Sequence, residues 1–106
     1  MTLEDDFNRA MVAVYETAKD HDYFANYFKQ MLDRYQAVET AKRLLANQEI
    51  QKGLMHLWDL KLLDHSMEAA VIQERFRPLF TEAEIAEARR RLDELGYSRQ
   101  GSQAGQ

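Results

Sequence analysis

The sequence predicts an all-α fold, a compact orthogonal bundle of about six short helices. Three observations carry that expectation. Apolar residues recur at the three- and four-residue spacing of a helical face along nearly the whole chain. Runs of β-branched residues bounded by turn residues, from which strands are built, are missing. Chain breakers are also few: Pro78 is the one proline, and Gly53 and Gly96 are the only glycines before the last residues.

The first helix is expected from about Leu3 to Asp20, with Thr2 as its N-cap. Glu4, Asp5 and Asp6 stand where the helix dipole favours negative charge. Its apolar stripe is Leu3, Phe7, Met11, Val14 and Ala18. His21 and Asp22 break the pattern. A second helix is expected from about Tyr23 to Tyr35, with Phe24, Phe28, Met31 and Leu32 facing inward. Gln36-Ala37 marks a junction, and a third helix covers about Val38 to Ala46, turning Ala41, Leu44 and Leu45 inward. Asn47 stops it.

The fourth helix spans about Glu49 to Asp59, with Ile50, Leu54, Leu57 and Trp58 as its apolar face. Gly53 lies inside it at a cost of about 1 kcal/mol relative to alanine, so either a close crossing or a break is expected there. Leu60, Leu62 and Leu63 carry apolar character into a turn. Asp64 or Ser66 caps a fifth helix bearing Met67, Ala70 and Val71. Arg75 to Phe80, with Pro78, reads as irregular and is anchored by Phe76, Leu79 and Phe80. Thr81 and Glu84 form a capping box for the sixth helix, with Phe80 and Ile85 placed as a hydrophobic staple. Ile85, Ala88, Leu92 and Leu95 face the core, and Gly96 ends the helix. Residues 1–97 form one domain, and 98–106 read as a disordered polar tail.

Length and composition limit the function classes. A chain of 106 residues suits one domain. Without cysteine there is no disulfide, thiolate nucleophile or Cys-ligated metal. A net charge of −4 gives no general attraction to nucleic acid. No apolar run approaches the ~20 residues of a membrane-spanning helix. Met1 to Asp6 show neither the basic nor the apolar part of a secretion signal, so the expected location is the cytoplasm.

Several blocks recur in an order that resembles a known family. They are Val38-Glu39-Thr40-Ala41-Lys42-Arg43-Leu44-Leu45, then Gly53-Leu54 with Leu57-Trp58, then Leu62, Asp64, Ser66 and Glu68-Ala69. Phe76-Arg77, Leu79-Phe80-Thr81, Glu84-Ile85, Ala88-Arg89, Arg91-Leu92 and Gly96-Tyr97 follow. The pattern, over roughly residues 7 to 97, resembles a widespread bacterial family of small uncharacterised all-helical proteins. Its members stand alone or occur as C-terminal modules, some fused to nuclease or restriction-like proteins. The resemblance implies a fold unit and a context of bacterial defence or mobile elements, with no activity to carry over. The family often has a Gly-Gly pair where this chain has Gln36-Ala37, and an apolar residue where it has His65.

Candidate sites are few. His21, His56 and His65 lack the spacing of a metal motif. His56 and Asp59, three apart, offer half a metal site or simply a surface histidine beside a carboxylate. Asp64, Glu68 and Arg91 form a candidate buried polar cluster, since a buried carboxylate needs a partner. The structural alternative is that Asp64 or Ser66 caps the fifth helix while an arginine of the sixth pairs with Glu68. Arg89, Arg90 and Arg91, with Arg75 and Arg77 upstream, are the most basic stretch. Glu87 reaches Arg90 and Arg91 at i+3 and i+4, which favours a salt-bridged face over a phosphate site. Tyr23 and Tyr27 share a helical face and suit either an interface or the wet edge of a core. Tyr23, Tyr27, Arg75, Arg77, Arg89 and Arg90 are thus the candidate interaction surface.

The expected function is a non-enzymatic protein-interaction module, accessory to a defence or restriction-type complex. No catalytic residues, metal or cofactor are expected. The expected partner is a larger bacterial protein or a second copy, with nucleic acid less favoured and membrane not expected. The alternatives are a phage or mobile-element inhibitor of a defence complex, or a weak nucleic-acid binder using the Arg-rich last helix.

Overall fold

Helical spacing with few breakers does give an all-α bundle. The computed structural model describes residues 2–47 and 52–97. Five α-helices follow in order: α1 Leu3–Asp20, α2 Asn26–Ala46, α3 Lys52–Asp59, α4 Met67–Val71 and α5 Glu82–Glu94. Short 3₁₀ turns occupy Leu63–His65 and Glu74–Leu79. The expected starts at Glu49 and Ile50, and the tail 98–106, lie outside the described residues.

Side-chain caps set three of the helix starts. Thr2 accepts from the Asp5 N–H, and Asp5 returns a bond to the Thr2 N–H, so α1 opens with a capping box. Thr81 and Glu84 do the same for α5. Ser66, rather than Asp64, caps α4: its Oγ accepts from the Ala69 N–H at 3.1 Å and donates to the Leu63 carbonyl at 2.6 Å.

Three helix ends follow one scheme. After α5, the Gly96 N–H bonds to the Asp93 carbonyl and the Tyr97 N–H to the Leu92 carbonyl, with Gly96 at φ 77°. This is a Schellman motif. The same pair of bonds closes α1 through Asp22 and Tyr23 onto Lys19 and Ala18. It closes α3 through Lys61 and Leu62 onto Trp58 and Leu57. Each motif needs a left-handed residue, and here Asp22 (φ 64°) and Lys61 (φ 62°) fill the place of glycine. Tyr23 and Leu62 then turn back against Ala18 and Leu57 as the hydrophobic half of the motif.

One expected boundary moves for this reason. The Schellman turn at Asp22 delays α2 to Asn26, so Phe24 lies in an extended link and is 53% exposed rather than inward. The expected junction at Gln36-Ala37 is a break inside α2, where Gln36 takes φ 66° and ψ 179°. Counted at that break, the described residues hold six α-helical segments. Across it, the buried Thr40 hydroxyl donates to the Met31 carbonyl at 2.9 Å. Trp58, expected inward, is 39% exposed and ties α3 to α5 through its Nε1, which donates to the Leu95 carbonyl.

Gln36 and Lys61 occupy backbone regions that favour glycine. A left-handed non-glycine residue costs about 1–2 kcal/mol, and the region of Gln36 is almost restricted to glycine. Gln36→Gly and Lys61→Gly are each expected to raise stability by about 1 kcal/mol, after the entropy that glycine adds to the unfolded chain. Thermal melts check this, and a lowered midpoint in either variant contradicts the strain.

The bundle closes around one main core. Phe7 and Met11 of α1 meet Met31, Leu32, Ala41 and Leu44 of α2. Met67, Ala70 and Val71 of α4 and Ile85 and Ala88 of α5 complete it. The Phe7 ring stands edge-on to Phe76 at 5.0 Å and to Phe80 at 5.1 Å. These are favourable aromatic geometries. A second cluster joins Leu54, Leu63, Ala69 and Leu92, and a third joins Ala18, Leu57 and Leu62. The last two seat α3 and leave a space beside α1. Among the described residues no helix is long and apolar enough to cross a membrane.

Candidate functional site

Among the described residues Arg91 is the most buried charge, with 1% of its side chain exposed. The α5 spacing that points Ala88 and Leu92 into the core also carries Arg91 inward, so its guanidinium must find partners. Nη1 donates to Glu68 of α4 at 3.1 Å, and Nε donates to Glu87 at 2.7 Å. Nη2 donates to the carbonyls of Leu44 and Leu45, at 3.1 and 3.2 Å, and reaches that of Asn47 at 3.4 Å. These carbonyls end α2, where helix geometry leaves oxygens without partners and the dipole is negative. One side chain therefore caps α2 and links it to α4 and α5.

The expected pairing of Glu68 with an arginine of the last helix is what the geometry shows. Asp64 does not join it. Asp64 sits in the 3₁₀ turn and is exposed, 3.8 Å from His65, because Ser66 takes the capping position that turns the chain inward.

The carboxylates around Arg91 are held in opposite senses. Burial pushes Glu68 above its ordinary pKa, opposed by its own backbone N–H and by Arg91. Glu87 is held down at about 2 by hydrogen bonds from Arg90 and then Arg91, against some desolvation. Glu84 is also lowered: desolvation acts upward but is outweighed by Lys42 and the Thr81 N–H. The Lys42 Nζ lies 2.8 Å from Glu84 and joins α2 to the start of α5.

The signs set a pH dependence. Glu84 and Glu87 contribute stability above the ordinary value of 4.5, and that contribution is lost as pH falls below it, for Glu87 towards about 2. Glu68 acts oppositely, because protonating it in the folded state relieves its burial. Stability is expected to hold or rise slightly as pH falls towards 4.5, then drop steeply below it. Thermal midpoints across that range check the shape, and a steady loss beginning at neutral pH contradicts it.

A cavity of about 400 Å³ opens beside this cluster. Leu44, Met67, Glu68 and Arg91, all buried, form a floor. Val14 and Ala18 of α1 face Leu54 and Leu57 of α3 as walls. Phe24 and Tyr27, 53% and 59% exposed, stand at the mouth. The size and the apolar walls with a few polar groups are those of a binding pocket.

Tyr23 shapes one wall. Its ring stacks on His56 at 4.0 Å and 6° between planes. A Cβ at position 53 would come within 3.3 Å of the Tyr23 hydroxyl, so Gly53 permits this approach. Among the described residues no group of three or more histidine, cysteine, aspartate or glutamate side chains could hold a metal ion.

Of the other candidate arginines, Arg75, Arg77 and Arg90 lie elsewhere and are engaged. Arg90 grips Glu87 and Glu94 at 2.7 and 2.6 Å. Arg77 meets Glu82 at 3.0 Å, and Arg75 lies over the Phe76 ring, 4.3 Å from its centroid. A shallow depression holds Arg77, Arg89 and Arg90 together with Glu82, Asp93 and Glu94. Its lining shares no residue with the aromatic cleft, so Tyr23 and Tyr27 do not form one continuous pocket with these arginines.

The chain matches no protein-family model, no curated protein and no solved structure.

Proposed function

We propose that the chain is a non-enzymatic protein-interaction module, and that the cleft between α1, residues 23–28 and α3 receives a side chain of its partner. One observation carries the reading: an apolar cleft of about 400 Å³ has Phe24 and Tyr27 exposed at its mouth. Rigid aromatic rings beside a pocket are the usual anchors of a protein interface. They bury large area at small entropic cost. The Arg-rich end supports nucleic acid less well, because Arg77 and Arg90 already spend their charge on neighbouring carboxylates. An accessory role in a bacterial defence complex rests on the resemblance in the blocks from Val38 to Leu92.

The double replacement Phe24→Ser and Tyr27→Ser tests the reading. Losing two anchors is expected to cost at least about 2 kcal/mol of binding, roughly thirtyfold in affinity. The melt should change little, since both rings are exposed. A variant that captures the same partner, or self-associates with the same concentration dependence, contradicts the proposal.

A further inference from the structure

We infer that the cleft selects a lysine side chain of the partner, whose ammonium reaches Glu68 at the floor while its four-carbon stem lies along the apolar walls. This rests on the cleft being the binding surface. The cluster at the floor carries more negative than positive charge. Arg90 bonds Glu87, at 2.7 Å, and Glu94, at 2.6 Å. Arg91 bonds Glu68 and Glu87 and meets the three carbonyls at the negative end of α2. Two guanidinium groups thus face three carboxylates, of which Glu68 lines the cleft, and one more cation balances the set.

Glu68 is the group placed to receive it. It lines the cleft and is 5% exposed. Its bond to Arg91 spans 3.1 Å, whereas that from Arg91 to Glu87 spans 2.7 Å. Charge-assisted bonds of this kind are typically about 2.7–2.9 Å, so Glu68 is the more loosely held of the two. An ionised carboxylate accepts several bonds at once. An entering anion finds no comparable welcome, because each guanidinium nitrogen of Arg91 is already engaged.

The walls fit the rest of a lysine. Val14, Ala18, Leu54 and Leu57 offer apolar contact to a methylene stem. Phe24 and Tyr27 at the mouth offer ring faces that favour a passing cation. A compact ammonium on a flexible stem suits a single carboxylate already shared with Arg91 better than the fork of arginine, which pairs both carboxylate oxygens.

Hexylamine, hexanol and hexanoate, added to the intact chain and followed by amide shifts at Ala18, Gly53 and Leu54, test the inference. Hexylamine should bind at least tenfold more tightly than hexanol, and hexanoate more weakly than both. Glu68→Gln should remove the advantage of the amine while leaving hexanol binding. If that variant does not fold, the order of the three probes on the unaltered chain still decides. Equal binding of amine and alcohol overturns the lysine inference and leaves the cleft reading standing. No shift with any probe overturns both. A short peptide with a central lysine should bind, and lose at least tenfold on acetylation of that lysine. Binding of hexylamine without the peptide overturns a protein lysine as the occupant.

Discussion

Arg91→Met is expected to destabilise the chain by about 3–5 kcal/mol, the cost of removing one partner from a buried ion pair. Methionine replaces part of the stem but none of the donors. The Glu68 carboxylate would be left 5% exposed without its arginine, and the carbonyls of Leu44 and Leu45 would lose their cap. Because Arg91 joins α2, α4 and α5, the loss should appear as a single lowered midpoint in urea and not as fraying of one helix. Replacing Glu68 and Arg91 together by methionine should recover only part of it, since the end of α2 stays uncapped. Glu68→Gln should cost much less: the glutamine oxygen still accepts from Arg91, and Glu87 holds the other side. Equal losses in Arg91→Met and Glu68→Gln would contradict the capping role.

Phe7→Ala is expected to cost about 3–5 kcal/mol, the range for truncating a buried aromatic side chain. Phe7 is 0% exposed and touches Phe76 and Phe80 edge-on. Those rings belong to the 3₁₀ turn and the residue that leads into α5, so a cavity at Phe7 unseats the link between α4 and α5. Chemical unfolding measures the loss. A change under 1 kcal/mol would mean that the α1 face is not where the core is built.

The α1 stripe that leads to Phe7 was legible in the sequence, because one helix face can be read from spacing alone. So were both bounds of α1, the break at Gln36 and the capping box at Thr81, all set by local chemistry. The Schellman turns at Asp22 and Lys61 were not legible, because neither carries the glycine that marks such a turn. Missing the turn at Asp22 drew α2 back to Tyr23 and placed Phe24 in the core, whereas it stands at a cleft mouth. The pairing of Glu68 with an arginine followed from the cost of burying a carboxylate alone. The further bonds from Arg91 to the end of α2 cross 44 to 47 residues, and no local pattern reports them. The cleft is hidden for the same reason, since α1, residues 23–28 and α3 meet only in the fold.

Site-specific photocrosslinking from the cleft mouth shows whether a partner binds there. With p-benzoylphenylalanine in place of Phe24, irradiation in the source cells should join the chain to one protein species, or to a second copy of itself. The same group in place of Arg89, which lines the separate depression on α5, should yield little of that product. Strong crosslinking from Arg89 with none from Phe24 would contradict the cleft as the binding surface and turn attention to the Arg-rich helix.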